Sequence, residues 1–535
     1  MVLKCEIGTR EGKPQMEQYA VTELAASADA LLAGLGPVVA ELMLLAEDAG
    51  RAVTLHAMED LIAERGREIL RRLLQRSLDR QGDAGPRLEE VTGADGVRRR
   101  PSGHGTRHMV TTLGTVSVER TAYRSRVPGA GSLFPRDAVL DLPACSYSWR
   151  LQRLAVMTAR SSSFGLAGDL VLAATGVRVG NRQLEQITAA AAADADQFYQ
   201  AIDPDPVLPG PDPVLPGPVP DVVPDGPALV MSADGKGVAM RPGSLRERTV
   251  APGKRVKTFQ KRRGTGEKGL KRMAETGCVA DAVPVPRTPE QVMASHKDPG
   301  KGKAPEQVNR RYFIDIDASR DVTIGRVFDE ADRRDPARRR TRVALVDGDN
   351  YQLAQFQAQA ARRGITLVIL IDFIHVLGYL WKAAWCFHQD RDPAIEQWVI
   401  TQALDILHGR TAEVITRISQ LAAGHPPQRK EHARIIRKTL HYLRAKQEYL
   451  DSYPAALAAG WPIATGVIEG ACRHLIQDRM GITGARWTTP GAQAILWLRA
   501  IWASGDEHAY WTWHTQQEHH RNHTSRYHSQ LDLAA

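Results

Sequence analysis

The chain has 535 residues, enough for about two to four domains with real cores, and an ordinary apolar fraction of 43%. No stretch approaches the ~18 to 20 uninterrupted apolar residues of a membrane span, and the opening MVLKCEIGTREGKPQ lacks the apolar core of a secretion signal. Five scattered cysteines without a C-x-x-C pair speak against a disulfide framework or a structural zinc site, and a net charge of +9 favours an anionic partner, nucleic acid rather than membrane.

Residues 1–108 form an N-terminal region whose first part, from about Met16 to Arg80, is helical in pattern. Leu31, Leu32, Leu35, Val39, Leu42 and Leu45 recur at three- and four-residue spacing, which suits packing or self-association. Gln81 to Arg107 reads as a Gly- and Arg-rich loop, with Arg98, Arg99 and Arg100 available to phosphates. The next region, 109–200, opens with MVTTLGTVSVERTAYRSR, whose alternation and Gly114 predict a β-hairpin. Further on, Phe164 to Thr175 and a second segment from about Gly180 predict helix, tight turn and helix. This places Asn181, Arg182 and Gln183 at the N-terminal end of the second helix, where side chains reach base edges if the helix enters a major groove. An ordinary pair of packed helices shares that pattern.

Residues 201–227 are a proline-rich linker containing PDPVLPG twice in tandem, a semi-rigid spacer rising about 3.1 Å per residue. Beyond it, ALVMSADGKGVAMR predicts a strand to Ala233, a hairpin turn at Asp234-Gly235-Lys236-Gly237 and a returning strand. Gly253 to Arg272 is strongly basic and suits a loop lying along phosphates. Strands are expected at Thr276–Val283 and Arg311–Ile316, and a helix from about Val322 to Arg333.

The apolar runs Val343–Val346 and Ile365–Ile371, separated by a helix from about Tyr351 to Arg363, predict adjacent parallel strands buried on both faces. One run stops at Asp347 and the other at Asp372, followed by His375. Both carboxylates thus fall at C-terminal strand edges, where open α/β sheets place their chemistry. Asp349, three residues before Gln352, has the spacing of a helix-capping pair.

Strand, strand, strand, helix, strand, helix, strand is the order of a ribonuclease H-like fold, and it predicts an α/β catalytic core. The core is expected over 228–380 and 461–505, interrupted by an all-α insertion at 381–460. The final helix is expected to start near Thr465 and to carry Glu469 in its first or second turn. The last segment, 506–535, is rich in histidine (His508, His514, His519, His520, His523, His528) and reads as a solvated helical tail in preference to a zinc site.

SADGKGVAMR, RVALVDGDNYQ, LIDFIHVLGYLW and TGVIEGACRHLIQDRMGITGARW together resemble bacterial insertion-sequence transposases of the DDE class, among them the Kra-type insertion-sequence family. With Pro135–Ser148, the resemblance covers most of Met109 to Trp502. It implies that Asp234, Asp347 and Glu469 are the catalytic and metal-holding acids. Asp372-Phe-Ile-His375 is similar to the D-x-x-H signature of Mutator and hAT transposases, which also interrupt the core with a helical insertion. Asp372 and His375 would then support the acids. Lys236, Arg473 and Arg479 would hold DNA phosphates.

Three carboxylates suit two Mg²⁺ ions, for which Mn²⁺ can substitute, in cutting and transferring a phosphodiester. The implied protein is a multidomain DNA transposase, preceded by a mostly helical DNA-binding region. It would bind its element's terminal inverted repeats and target DNA, as a homo-oligomer on DNA. Its place would be the bacterial cytoplasm, at the nucleoid when DNA-bound, with no membrane partner. A ribonuclease H-fold nuclease that cuts without joining, and a catalytically idle DNA-binding regulator, are the alternatives.

Overall fold

The computed structural model describes residues 54–84, 88–201, 227–245, 271–294, 300–388, 394–424 and 429–529, with isolated positions at 40, 43, 44 and 392. The leucine repeat before residue 54, the tandem-proline core of the linker and the basic stretch up to residue 270 lie outside the described residues. The chain is a mixed α/β multidomain protein with a small antiparallel sheet and a larger mixed one. Its contacts divide it into two units. One comprises Met1–Thr158, Phe164–Leu184 and Thr515–Ala535, the other Ala159–Ser163 and Glu185–His514. The division therefore does not fall at the proline segment, and the second half of the His-rich tail joins the N-terminal unit.

In the first unit, helix α1 (Leu55–Ala84) is followed by strands β1 (Val91–Thr92), β2 (Arg98–Thr111) and β3 (Gly114–Arg124), paired in that order. The hairpin expected from Met109 is real but begins earlier, so the loop reading of Gln81–Arg107 is corrected: α1 runs to Ala84, and Arg98 onward is strand. The pairing sets Arg107 opposite Val118 and Met109 opposite Val116. Met109, Val116 and Val118 pack against Leu74 and Leu78 of α1. Gln75 fixes the helix to the hairpin, accepting from the Ser117 N–H at 2.8 Å and donating to its carbonyl at 2.8 Å. Within the arginine triplet the expectation is corrected for Arg99 alone, since Arg98 and Arg100 are exposed. Arg99 is buried and bonded to Asp95 and to the Gly131 carbonyl, while Arg98 and Arg100 lie 3.3 and 3.7 Å from Glu90. Helices α2 (Pro135–Val139), α3 (Trp149–Ala159) and α4 (Phe164–Thr175) follow, and after a turn with Gly176 at φ +70° comes α5 (Asn181–Ala191).

The tail is not a solvated helix. Within α17 (Glu507–Asn522) and just beyond it, His514 and His523 are buried. His514 Nδ1 is 2.7 Å from Asp194 Oδ2. Further on, Tyr527 bridges to Gly93, and the His528 N–H donates to the Thr92 carbonyl. The aromatic and apolar residues threaded between the histidines give this helix a face to bury, which its composition alone does not reveal.

The second unit, after α6 (Ala195–Ala201), is built on a five-stranded sheet of β4 (Ala228–Ala239), β5 (Lys271–Ala282), β6 (Gln307–Asp315), β7 (Arg342–Val346) and β8 (Val368–Ile371). A short α7 (Pro289–Met293) lies between β5 and β6. The spatial order is β6-β5-β4-β7-β8, antiparallel from β6 to β4 and parallel from β4 to β8. Helix α8 (Arg320–Arg334) connects β6 to β7, and α9 (Asn350–Arg363) connects β7 to β8. All five residues of β7 are buried, as a central strand covered on both faces requires. Of the run Ile365–Ile371, the strand takes only the last four residues, and as the edge of the sheet it is fully buried only at Leu370 and Ile371, so the expectation of burial on both faces holds for β7 and not for β8.

After β8 come five helices, α10 (Phe373–Phe387), α11 (Ala394–Leu407), α12 (Thr411–Gly424), α13 (Lys430–Leu450) and α14 (Tyr453–Ala458), the all-α insertion expected between strand and final helix. Their apolar faces join the sheet in one core that includes Val343, Leu345, Phe373, Val376, Leu440 and Tyr453. The chain then returns through α15 (Gly466–Ala471), π-helical turns at Cys472–Gln477 and a last turn at Asp478–Met480, followed by α16 (Thr489–Ala503). No helix among the described residues is long and apolar enough to cross a membrane.

Candidate active site at the strand edge

The sequence SADGKG does not turn. β4 runs straight through it, paired with β5 from Ala228 opposite Ala282 to Ala239 opposite Lys271. Gly235 and Gly237 do not take the positive φ of a hairpin turn. They instead leave room for the neighbouring strand. A Cβ on Gly235 would stand 2.9 Å from a Glu275 carboxylate oxygen, and one on Gly237 would stand 3.1 Å from the Lys271 side chain. The predicted hairpin at Asp234 is therefore replaced by a single long strand.

That change sets the geometry of the acids. Ser232 of β4 lies beside Leu345 of β7 in parallel register, and two residues further along both strands stand Asp234 and Asp347. Val346 lies beside Ile371 of β8, and one residue further along both stand Asp347 and Asp372. Three aspartates thus fall in one row across three neighbouring parallel strands, Asp347 and Asp372 just past the C-terminal ends of β7 and β8 and Asp234 level with them inside the longer β4.

Each is held differently. Asp234 is half-buried, with Oδ1 accepting from the Gly235 N–H at 2.7 Å. Asp347 is half-buried and accepts from the Asp349 N–H at 2.9 Å, while its carbonyl accepts from the Tyr442 hydroxyl at 3.0 Å. Gly348, at φ +91°, makes the turn out of the strand, and a Cβ there would stand 2.9 Å from that hydroxyl. Asp372 is fully buried and caps α10, accepting from the N–H groups of Ile374 and His375, both at 3.2 Å. It also accepts from the Thr465 N–H at 3.1 Å. Its oxygens are turned to the backbone.

Asp349 caps α9, its Oδ1 accepting from the Gln352 N–H at 2.9 Å. The reciprocal half of a capping box is not what the Gln352 side chain supplies. Its amide donates to the carbonyl of Ala233, the residue before Asp234, joining the helix after β7 to the strand beside it.

Glu469 sits in α15, its N–H bonded to the Thr465 carbonyl at 3.1 Å. Partial desolvation raises its carboxyl pKa, and the charges of Asp372, Asp234 and Asp347 push it further up while His375 pulls it down. The acid of the returning helix thus shares the field of the strand-edge row. Just beyond, burial pushes the Cys472 thiol up, and so does its interaction with Asp234. The π-helical turns leave backbone carbonyls to be satisfied, and Arg499 supplies donors to those of Leu475, at 2.8 Å, and His474. Burial lowers Arg499 to about 10.

Some anticipated residues do other work. Arg479 was expected to hold DNA phosphates; it is instead 2% exposed, donates to the Ala159 carbonyl at 2.9 Å and lies over Trp487 at 4.9 Å. The backbone N–H of Trp487 donates to the Ala239 carbonyl at the end of β4, so Arg479 helps lock the returning helix to that strand. Lys236 and Arg473 are exposed. Asn181 and Arg182 are exposed and Gln183 half-buried at the start of α5, a helix that follows α4 closely enough for a Cβ on Gly168 to stand 3.1 Å from the Val179 carbonyl.

His375 packs with rings of the insertion, 5.5 Å from Tyr379 and 5.9 Å from Tyr442. Tyr379 and Tyr442 are stacked at 4.1 Å. Lys446, one helical turn beyond Tyr442, is buried and bonded to Asn350. Tyr442 lies 95 residues from Asp347, whose carbonyl it bonds, and Lys446 lies 96 residues from Asn350. Nothing in EHARIIRKTLHYLRAKQEYL singles them out; only the pairing of the insertion with the β7 edge does. Among the described residues, the group of three His, Cys or acidic side chains with ligand atoms all within 4.8 Å of one another is Asp141, His519 and His523. Asp234, Asp347 and Glu469 are not drawn together that closely. No protein-family model matches the chain, and no curated protein matches it.

Proposed function

We propose that this chain is a DNA transposase of the DDE class, with a ribonuclease H-like core, that binds the ends of its own element and catalyses metal-dependent strand cleavage and strand transfer. The observation carrying this reading is the row of Asp234 and Asp347 on adjacent parallel strands, with Glu469 returned to their field after an all-α insertion. The sheet order, antiparallel on one side of β4 and parallel on the other, is the order such a core would have. The acids suit Mg²⁺, with Mn²⁺ as substitute: burial and then the neighbouring acids raise Glu469, and hard oxygen donors in mutual repulsion are what a small divalent cation relieves. Asp234, Asp347 and Glu469 would hold two such ions, which when bound polarise the phosphate and stabilise attacking and leaving oxygens.

The residues around them have definable tasks. Gln352 and Tyr442 fix the backbone on either side of the acids, and Asp372 fixes the start of the Glu469 helix. Lys236 and Arg473 are free on the surface to meet phosphates. Asn181, Arg182 and Gln183 are positioned to read base edges. A homo-oligomer on paired DNA ends, and residence at the bacterial nucleoid, follow from this activity. The decisive experiment incubates the protein with its element's terminal repeats, target DNA and Mg²⁺. The proposal expects cut 3′ ends joined to target, lost in EDTA and in Glu469→Gln. Cutting without joining would reassign the chain as a nuclease; end binding without either would make it a regulator.

A further inference from the structure

The C-terminal helix brings two histidines to one carboxylate far from the acidic strand edge in sequence. His519 and His523 stand on successive turns, rings 5.3 Å apart. His519 Nδ1 is 2.9 Å from Asp141 Oδ1. Asp141 is held in place from two sides: its N–H donates to the Ala138 carbonyl at 3.1 Å and its carbonyl accepts from the Trp149 indole at 2.9 Å. It holds a left-handed backbone at φ +45°, a conformation that Asp and Asn tolerate better than other side chains. His523 is 6% exposed, and its Nε2 lies 2.8 Å from the Leu142 carbonyl. A carbonyl can only accept, so Nε2 carries the proton and Nδ1 keeps its lone pair. This is the arrangement by which a backbone carbonyl orients a metal-binding imidazole.

We propose that Asp141, His519 and His523 form a binding site for one first-row divalent cation, Zn²⁺ by donor chemistry. The ligand atoms already lie within 4.8 Å of one another. Two imidazoles four residues apart, one in the last turn of α17 and one just past its end, plus one carboxylate select Zn²⁺ and its neighbours; Mg²⁺ takes oxygen donors and would not be held. Binding at His519 Nδ1 takes the place of its hydrogen bond to Asp141, the ring proton then residing on Nε2. Positions beyond the three protein ligands are left to water. The cation would clamp the tail helix to the loop after α2, closing a span of 378 residues between His519 and Asp141. It would act as a structural staple of the N-terminal unit, and this role does not depend on what the acidic edge does.

The test uses the full chain, stripped with chelator and carrying Asp234→Asn, Asp347→Asn and Glu469→Gln, so that the acidic edge does not compete. Zn²⁺ is titrated by calorimetry, and Co²⁺ by its visible absorption as a report of nitrogen coordination. One equivalent of Zn²⁺ should bind, with a rise in melting temperature, and Mg²⁺ should neither bind there nor compete. His519→Ala, at a half-exposed position, and Asp141→Asn, which keeps the backbone conformation, should each weaken binding by about a hundredfold or more, since even partners behind a ligand cost 10- to 100-fold. Circular dichroism checks that both variants remain folded. Absence of saturable Zn²⁺ binding, or binding unchanged in both variants, would reduce the cluster to a hydrogen-bonded network and overturn the proposal.

Discussion

The carboxylate of Asp372 accepts the backbone N–H of Thr465 at 3.1 Å, and so ties the end of β8 to the residue from which the Glu469 helix starts. With the two N–H groups of α10 it also accepts, this fully buried acid holds three donors. A typical intramolecular hydrogen bond contributes ~1 kcal/mol net. Asp372→Ala should therefore destabilise the second unit by about 3 kcal/mol and abolish cleavage, with Glu469 losing its support. Asp372→Asn keeps the shape and one acceptor, and should recover part of the stability. Urea unfolding of the three proteins measures this. Equal stability of wild type and Asp372→Ala would remove Asp372 from its supporting role.

A second prediction separates two aspartates only two residues apart. Asp347 ends β7 in the row with Asp234, whereas Asp349 caps α9 through the Gln352 N–H and also meets Arg320 at 3.1 Å. Asp349→Ala should cost about 1 kcal/mol, as lost caps typically do, and retain substantial cleavage. Asp347→Ala should leave a folded, DNA-binding and inactive protein. Strand cleavage and thermal melting on both variants decide the assignment, and a dead Asp349→Ala beside an active Asp347→Ala reverses it.

These particulars show how far the sequence carries. The run ending at Asp347 was legible because a strand covered on both faces must be apolar throughout, and the capping role of Asp349 followed from its spacing; the run ending at Asp372 is equally apolar, yet it forms the sheet's edge strand and is only partly buried. Asp234 was placed at a strand end by its Asp-Gly pair, yet the glycines serve close approach of Glu275 and Lys271, a property of a partner strand some forty residues away. Tyr442, Lys446 and the Gln352 bond to Ala233 depend on tertiary pairing and left no local mark. The histidine tail misled for a related reason, since composition records polarity but not which side chains meet Asp194 or Asp141.

The third prediction concerns Glu469 and pH. Desolvation and its acidic neighbours raise its pKa above the ordinary 4.5, so the native state holds this proton more tightly than the unfolded chain. Protonated at low pH, the group favours folding. That contribution is lost as pH climbs from the unfolded value through the native one, and stays lost at neutrality. Glu469→Gln should then be more stable than wild type at pH 7 in EDTA, with the gain shrinking towards pH 4. Added Mg²⁺ should raise the melting temperature of wild type and leave Glu469→Gln nearly unchanged. A variant less stable than wild type at neutral pH in EDTA would contradict the shared field of the acids.

The last prediction opposes two arginines that the sequence treats alike as DNA contacts. Arg182 is exposed at the start of α5, where a helix entering the major groove would present it to bases. Arg479 is buried beneath Trp487 and bonded to the Ala159 carbonyl, and burial lowers its pKa to about 10. Arg182→Ala should keep the wild-type melting temperature and weaken binding to the element's ends by about 1 to 3 kcal/mol, with far less effect on unrelated DNA. Arg479→Ala should do the reverse. It removes a packed side chain and its bond to a buried carbonyl, so stability should fall by about 2 to 4 kcal/mol, and any loss of DNA binding should follow the unfolded fraction equally on both DNAs. Melting curves and binding isotherms on specific and unrelated duplexes distinguish the two. If Arg182→Ala weakens both duplexes equally, α5 contacts the backbone alone; if Arg479→Ala is stable but defective in binding, its burial does not survive contact with DNA.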